Sequence, residues 1–297
     1  MTDLKVRRAP SRPLVKNARP GGRPRTWLRH LPLHVASIVI GLTIVVPVLF
    51  GVLGGFKDNG QLTTNPFGLP EPWVWVNYSE ILTSSGFWRP MLNSVVIAVA
   101  TTVLVVGVSA LAAFVFARFS FRGRELLFTV FTIGLMFPFA VAILPLYILL
   151  REMDLLDNPL GVILPQVAFG LPVTIIILRG FFREIPGEIE ESATIDGCTP
   201  FGFFWRILLP MARPALATVS VLAVVASWNN FMLPLVVFND SKSWTLPLGV
   251  QQFQGQYAAD TARILAYVVL AMVPSLAFYA VAERHLIGGL TSGATKG

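Results

Sequence analysis

Apolar residues along this 297-residue chain gather into long runs from which Asp, Glu, Lys and Arg are missing. Crossing about 30 Å of hydrocarbon takes roughly 20 helical residues at 1.5 Å each, so runs of that length are the unit to count. Six qualify, at about 34–56, 90–117, 126–150, 158–178, 214–239 and 264–282. A seventh charge-free run, 243–259, is shorter and carries Gln251, Gln252, Gln254 and Gln256. Four amides are costly in lipid, so this run is expected outside the membrane. The pattern predicts an all-α, polytopic membrane protein with six transmembrane helices, kinked at Pro138, Pro145 and Pro172.

Charge then orients the chain. Eighteen of the 23 Lys and Arg fall in the N-terminal tail, the C-terminal tail and alternate loops, including Arg118, Arg122, Arg124, Arg179, Arg183, Arg206 and Arg213. Only Lys57, Arg89, Arg151, Lys242 and Arg263 lie in the opposite loops. Cytoplasmic loops retain positive charge, so both termini are expected to be cytoplasmic. Residues 1–30, rich in Pro, Gly and Arg, are expected to form a disordered basic tail against anionic membrane lipid, with 31–297 as the membrane domain. Arg7-Arg8 resembles the start of an export signal, but no small-residue cleavage site follows the first run, which is expected to remain as a helix. The basic residues do not alternate with stacking aromatics, which argues against nucleic acid as a partner.

Every Asp, Glu, Lys and Arg falls outside the six runs, so they lack the intramembrane charges with which ion-driven transporters commonly bind their driving ion. The closest approach to a phosphate-binding loop, "GGLTSGATKG" at 288–297, has Ala294 where Lys is required. Cys198, the single cysteine, has no His nearby and is expected to be a packing residue, so no metal or cofactor is expected in this chain. Energy must then arrive from a partner through a structured loop.

One loop has the required order. In "EESATIDGCTPFGFFWRILLP", residues 190–210, and just before it, Glu188, Glu190 and Glu191 sit near the start of a short helix, where the dipole favours negative charge. Asp196-Gly197 ends that helix, and Thr199-Pro200 starts a second, aromatic-rich one that Pro210 and Pro214 break. The loop, 180–213, is expected to be a rigid knob.

Glu191-Ser192-Ala193, Asp196-Gly197 and Ile207-Leu208-Leu209-Pro210, at this spacing, resemble the EAA loop of permease subunits of binding-protein-dependent ABC importers, with Ser192 where the family usually has Ala. "NYSEIL", "FWRPMLNSVVIA", "FARFSFRGR", "SWNNFMLPL" and "TLPLGVQQFQGQY" are similar to the maltose-type second permease of the carbohydrate-uptake branch, and the likeness covers about 30–297.

That resemblance implies the type I ABC importer permease fold in a bacterial or archaeal plasma membrane. It implies a second permease subunit as partner in a heterodimer, two ATPase subunits that bind the ATP and Mg, an extracytoplasmic solute-binding protein, and a sugar or oligosaccharide as solute. The chain itself would not be an enzyme. Glu190, Glu191, Ser192, Ala193, Asp196, Gly197, Pro200 and Phe201 would couple to the ATPase. Trp228, Asn229 and Asn230 put polar groups at membrane depth and are candidates for the substrate pathway, with hydrogen bonding between helices as the alternative. Gln252, Gln254, Gln256 and Tyr257 would face the binding protein. Two rival functions remain open at this point: a permease of the same family for another solute, such as glycerol phosphate, and a secondary transporter.

Overall fold

The computed structural model describes residues 26–255 and 259–291. By its contacts the chain divides into residues 1–48 and 49–297. The first unit contributes most of α1 (Thr26–Gly55), whose apolar side chains, among them Leu33, Ile38 and Ile44, are exposed. A helix apolar all round is suited to lipid or to a partner helix. Its described part runs from Thr26, inside the stretch expected to be tail.

The second unit begins with α2 (Asn59–Thr64) and α3 (Val76–Thr83), short helices between the first two spans. They are held by polar groups. The buried Lys57 donates from Nζ to the carbonyls of Asn65 at 2.7 Å and Pro66 at 3.1 Å, and Asn77 donates to those of Gly55 and Lys57. The Tyr78 hydroxyl donates to the Val52 carbonyl at 2.9 Å, and burial pushes its pKa up to about 12.

The bundle proper is α4 (Ser85–Arg118), α5 (Arg124–Ile133), α6 (Phe139–Glu152) and α7 (Leu160–Glu184), then α8 (Gly187–Ile195), α9 (Pro200–Phe203) and α10 (Leu209–Met211). It closes with α11 (Arg213–Trp228), α12 (Met232–Val237) and α13 (Thr261–Thr291). The centre is α4 against α7 and α11, and α13 packs against α11. Ser94, Ala98, Thr101, Val105, Ser109 and Ala113 recur every three or four residues along α4, all buried. Small side chains on one face let helix backbones approach closely, which is how helices associate where lipid supplies no hydrophobic drive.

Among the described residues four helices, α1, α4, α7 and α13, are each long and apolar enough to cross a membrane, and two bent pairs raise the number to six. The third expected span, 126–150, is not one straight helix. It breaks between α5 with its 3₁₀ continuation (Gly134–Met136) and α6, and the two halves meet at 99°. Pro138 is the cause: it disfavours helical geometry at the residue before it, and Phe137 is extended at φ −79°, ψ 116°. The fifth, 214–239, is interrupted as well, at 229–231 between α11 and α12. Pro234 would drive its ring into the carbonyl of residue 230 were the helix continuous. Asn230 Oδ1 accepts from the Leu233 N–H at 3.2 Å and so starts α12 afresh.

Among the described residues of the run 243–259 there is no membrane helix. The run folds as 3₁₀ turns, Ser241–Ser243 and Leu248–Phe253, then a single antiparallel bridge between Gln254 and Ala259. Leu246 and Leu248 anchor it by burial.

Candidate functional site

The knob comes from local chemistry. Helix α7 stops because Pro186 has no N–H and holds Ile185 extended at ψ 125°. Helix α8 carries Glu188 and Glu190 in its first turn and ends in a left-handed residue, Gly197 at φ 81°. The Gly197 N–H bonds the Thr194 carbonyl at 3.0 Å and the Cys198 N–H the Ala193 carbonyl at 2.8 Å. This pair of bonds is the Schellman closure, and it satisfies carbonyls that a helix end would otherwise orphan. No atom lies near where a Gly197 side chain would point, so the demand for glycine is one of backbone angle, not of space.

Thr199 then caps α9, its Oγ1 accepting from the Gly202 N–H at 3.1 Å, with Pro200 at the first position. A π-helical turn, Phe204–Leu208, follows, in which the Leu209 N–H reaches back to the Phe204 carbonyl. Pro210 comes directly after, so the wider turn accommodates a residue that cannot donate.

Packing divides the expected coupling residues. Ala193 is the one buried residue of α8, and it joins Phe203, Phe204 and Leu208 in a core with Phe114 of α4, Leu178 and Phe182 of α7 and Ala215 of α11. The Phe114 and Phe204 rings lie 5.0 Å apart. The knob is therefore part of the same packed body as three bundle helices. Glu190 is half-buried, and Glu191, Ser192, Asp196, Gly197, Pro200 and Phe201 are exposed. Beside them Ile195 is 86% exposed and Phe201 64%, and the Phe201 and Trp205 rings pair edge-on at 6.0 Å. An apolar and acidic outer face on a rigid base is suited to docking.

Three charged residues at this end carry more than the orientation signal read from the sequence. Arg179, buried, donates to Glu125 at 2.6 Å and stands 3.7 Å above the Phe128 ring. Arg118 donates to the carbonyls of Phe182 and Ile185, both at 2.8 Å. Each partner lies over 50 residues away in the chain, so no local motif announces the pair.

A cavity of 460 Å³ lies between α4, α7 and α11. Its polar groups are Thr101, Gln166, Thr174, Ser227 and Asn230, and none of its lining residues is charged. Gln166 Oε1 accepts from Ser227 at 2.6 Å and Thr101 at 3.4 Å, while its Nε2 is buried without a partner. Of the three residues expected on the pathway, only Asn230 reaches this cavity. Trp228 and Asn229 line a second one, 330 Å³, against Tyr267 and Leu246. The chain leaves the helix after Trp228, and across this break Asn230 turns to a different cavity from Trp228 and Asn229. Asn229 donates to the Val225 carbonyl at 2.9 Å, a bond within its own helix end.

Of the four residues expected to face a binding protein, Gln252 donates to the carbonyls of Gly86 at 3.3 Å and Gly249 at 2.8 Å, bracing its loop to the start of α4. Gln254 is exposed beside the bridge to Ala259; Gln256 and Tyr257 lie outside the described residues.

Comparison with known proteins agrees with this anatomy. Residues 106–285 match the family described as "Binding-protein-dependent transport system inner membrane component". The chain is 36% identical to the diacetylchitobiose uptake system permease protein NgcG of Streptomyces coelicolor, over 88% of this chain and 87% of that one. It is 35% identical to the trehalose transport system permease protein SugB of Mycobacterium tuberculosis, over 88% and 95%. Among solved structures, a bacterial ABC transporter that imports the acidic polysaccharide alginate superposes with a TM-score of 0.76 at 20% identity, covering 90% of this chain and 99% of that one. The chain therefore belongs to the family of binding-protein-dependent transport system inner membrane components.

Proposed function

We propose that this chain is the permease subunit of an ABC importer for a neutral sugar or small oligosaccharide, moved by ATP that separate ATPase subunits hydrolyse. The observation that carries the proposal is the knob: a capped helix, a glycine turn and a second capped helix, fused through Ala193, Phe203 and Phe204 to α4, α7 and α11. A push on such a base moves whole helices, since packed cores shift between discrete arrangements and do not deform smoothly. Glu191, Ser192, Asp196, Gly197, Pro200 and Phe201 form the face that meets the ATPase, and a second permease completes the pathway. The excess of Lys and Arg in the two tails and the alternate loops that include the knob supports a cytoplasmic knob and cytoplasmic termini.

The 460 Å³ cavity is the part of the pathway this subunit contributes. Amide and hydroxyl groups without a charge suit the hydroxyls of a neutral sugar. A phosphorylated solute such as glycerol phosphate calls for a cation, and the lining holds none. The relatives named for diacetylchitobiose and trehalose uptake support the same solute class. Reconstitution with the second permease, the ATPases and the binding protein tests the proposal. Uptake of a neutral sugar that stops on ATP depletion or vanadate is expected; uptake that survives both makes the chain a secondary transporter.

A further inference from the structure

The segment "FARFSFRGR", 116–124, is so far without a task in the coupling scheme. Its first arginine closes a gap that a proline opens. The Phe182 carbonyl, near the end of α7, would ordinarily accept from the N–H four residues on, and that residue is Pro186. Arg118, the last residue of α4, supplies the missing donor: its Nη2 bonds Phe182 and Ile185, both at 2.8 Å. The other arm of the same guanidinium, Nη1, stands 3.6 Å from Glu190 Oε2 on α8.

Resting on the function proposed above, we infer that Arg118 and Glu190 form an internal strap through which α8 carries α4, so that Glu190, unlike Glu191, is a positioning residue and not a contact with the ATPase. Exposed ion pairs contribute little, because two long side chains must be ordered in water. Here the Arg118 side chain is 9% exposed and Glu190 30%, and two carbonyls already fix the guanidinium. Removing Glu190 leaves a nearly buried cation short of its counter-charge. Glu191, the next residue on the helix, points away and is exposed.

A second tie works in parallel. Arg179 of α7 holds Glu125 at 2.6 Å and donates from Nε to the Phe116 carbonyl of α4 at 3.3 Å. The end of α4 is thus clamped to α7 from both sides, and α8 grips it through Arg118. Since α4 also carries Thr101 in the cavity wall, movement of the strap reaches the solute pocket.

The test is a substitution cycle on the complete complex in proteoliposomes: Arg118→Gln, Glu190→Gln and both together, with capture of the ATPase and solute moved per ATP as the two readouts. Each single change is expected to keep capture within about twofold yet lower solute per ATP about fivefold, with the double change no worse than the worse single, because residues acting as a unit do not add. Arg118→Lys keeps the charge without the fork to two carbonyls, and runs the same cycle should Arg118→Gln fail to insert. Loss of capture by Glu190→Gln as steep as that by Glu191→Gln puts Glu190 at the ATPase and overturns the inference, as do effects that multiply. If the unsubstituted chain captures no ATPase, the importer proposal fails and the strap with it; normal capture with multiplying effects removes the strap alone.

Discussion

The knob, residues 187–211, and the loop at 241–263 stand at opposite ends of the chain's charge pattern, and though both bury apolar anchors they differ in what is added to that packing. Apolar packing fuses the knob to the bundle, with Ala193, Phe203, Phe204 and Leu208 buried among residues of α4, α7 and α11. The loop also buries Leu246 and Leu248 but adds a set of polar ties: Asn93 donates to the carbonyls of Lys242 and Trp244, Ser94 accepts from the Leu246 N–H, and Gln252 reaches Gly86. Packing transmits force because it has no slack, whereas the exposed members of that set, such as the Gln252 bond to Gly86, exchange readily with water. The difference teaches that the first end is suited to drive helices and the second to hold a surface in place.

Four substitutions sharpen that contrast, taken in order of expected effect on uptake. Gly197→Val forces a β-branched residue to φ 81°, a strain of roughly 1–3 kcal/mol in a turn with no slack. Binding-protein-stimulated ATP hydrolysis is expected to vanish while the subunit still inserts, and normal stimulation in vesicles refutes this. Phe204→Ala empties a core position shared by knob and bundle and is expected to cost about 3–5 kcal/mol, read as a lowered melting temperature of the purified complex.

Gln166→Leu keeps the cavity's volume but removes the acceptor that Ser227 and Thr101 share. The KM for solute is expected to rise about tenfold, the worth of roughly one hydrogen bond. An unchanged KM removes Gln166 from the pathway. Gln252→Ala loses two exposed or half-exposed bonds and is expected to cost no more than about 1 kcal/mol, with uptake nearly unaltered. A large loss there would give the loop a part in recognition and break the contrast.

The sequence announced what depends on near neighbours. Gly197 and Thr199 mark their caps because each bond in those caps spans five residues or fewer. Charge-free runs marked the spans because hydrocarbon tolerates little else. The 99° break at Phe137 exceeded the kink that Pro138 suggested, and Pro234 split a run that looked continuous. A proline's local effect is legible, but how far a helix turns there depends on what packs behind it. Arg118, Arg179 and Gln166 were not legible as site residues, since their partners are met only after folding. Trp228, Asn229 and Asn230 were grouped by adjacency, but the helix ends at Trp228 and the break after it sends Asn230 to a different cavity.

The central claim is that the exposed face of α8 meets an ATPase. Ser192, exposed on that face, offers a direct probe once half-buried Cys198 is replaced: Ser192→Cys in a Cys198→Ser background, against Ser241→Cys in the 241–263 loop, each crosslinked in the assembled complex. The account predicts a bond from position 192 to the ATPase subunit, altered by nucleotide, and none from position 241. Capture of the ATPase from 241, or from neither position, contradicts it.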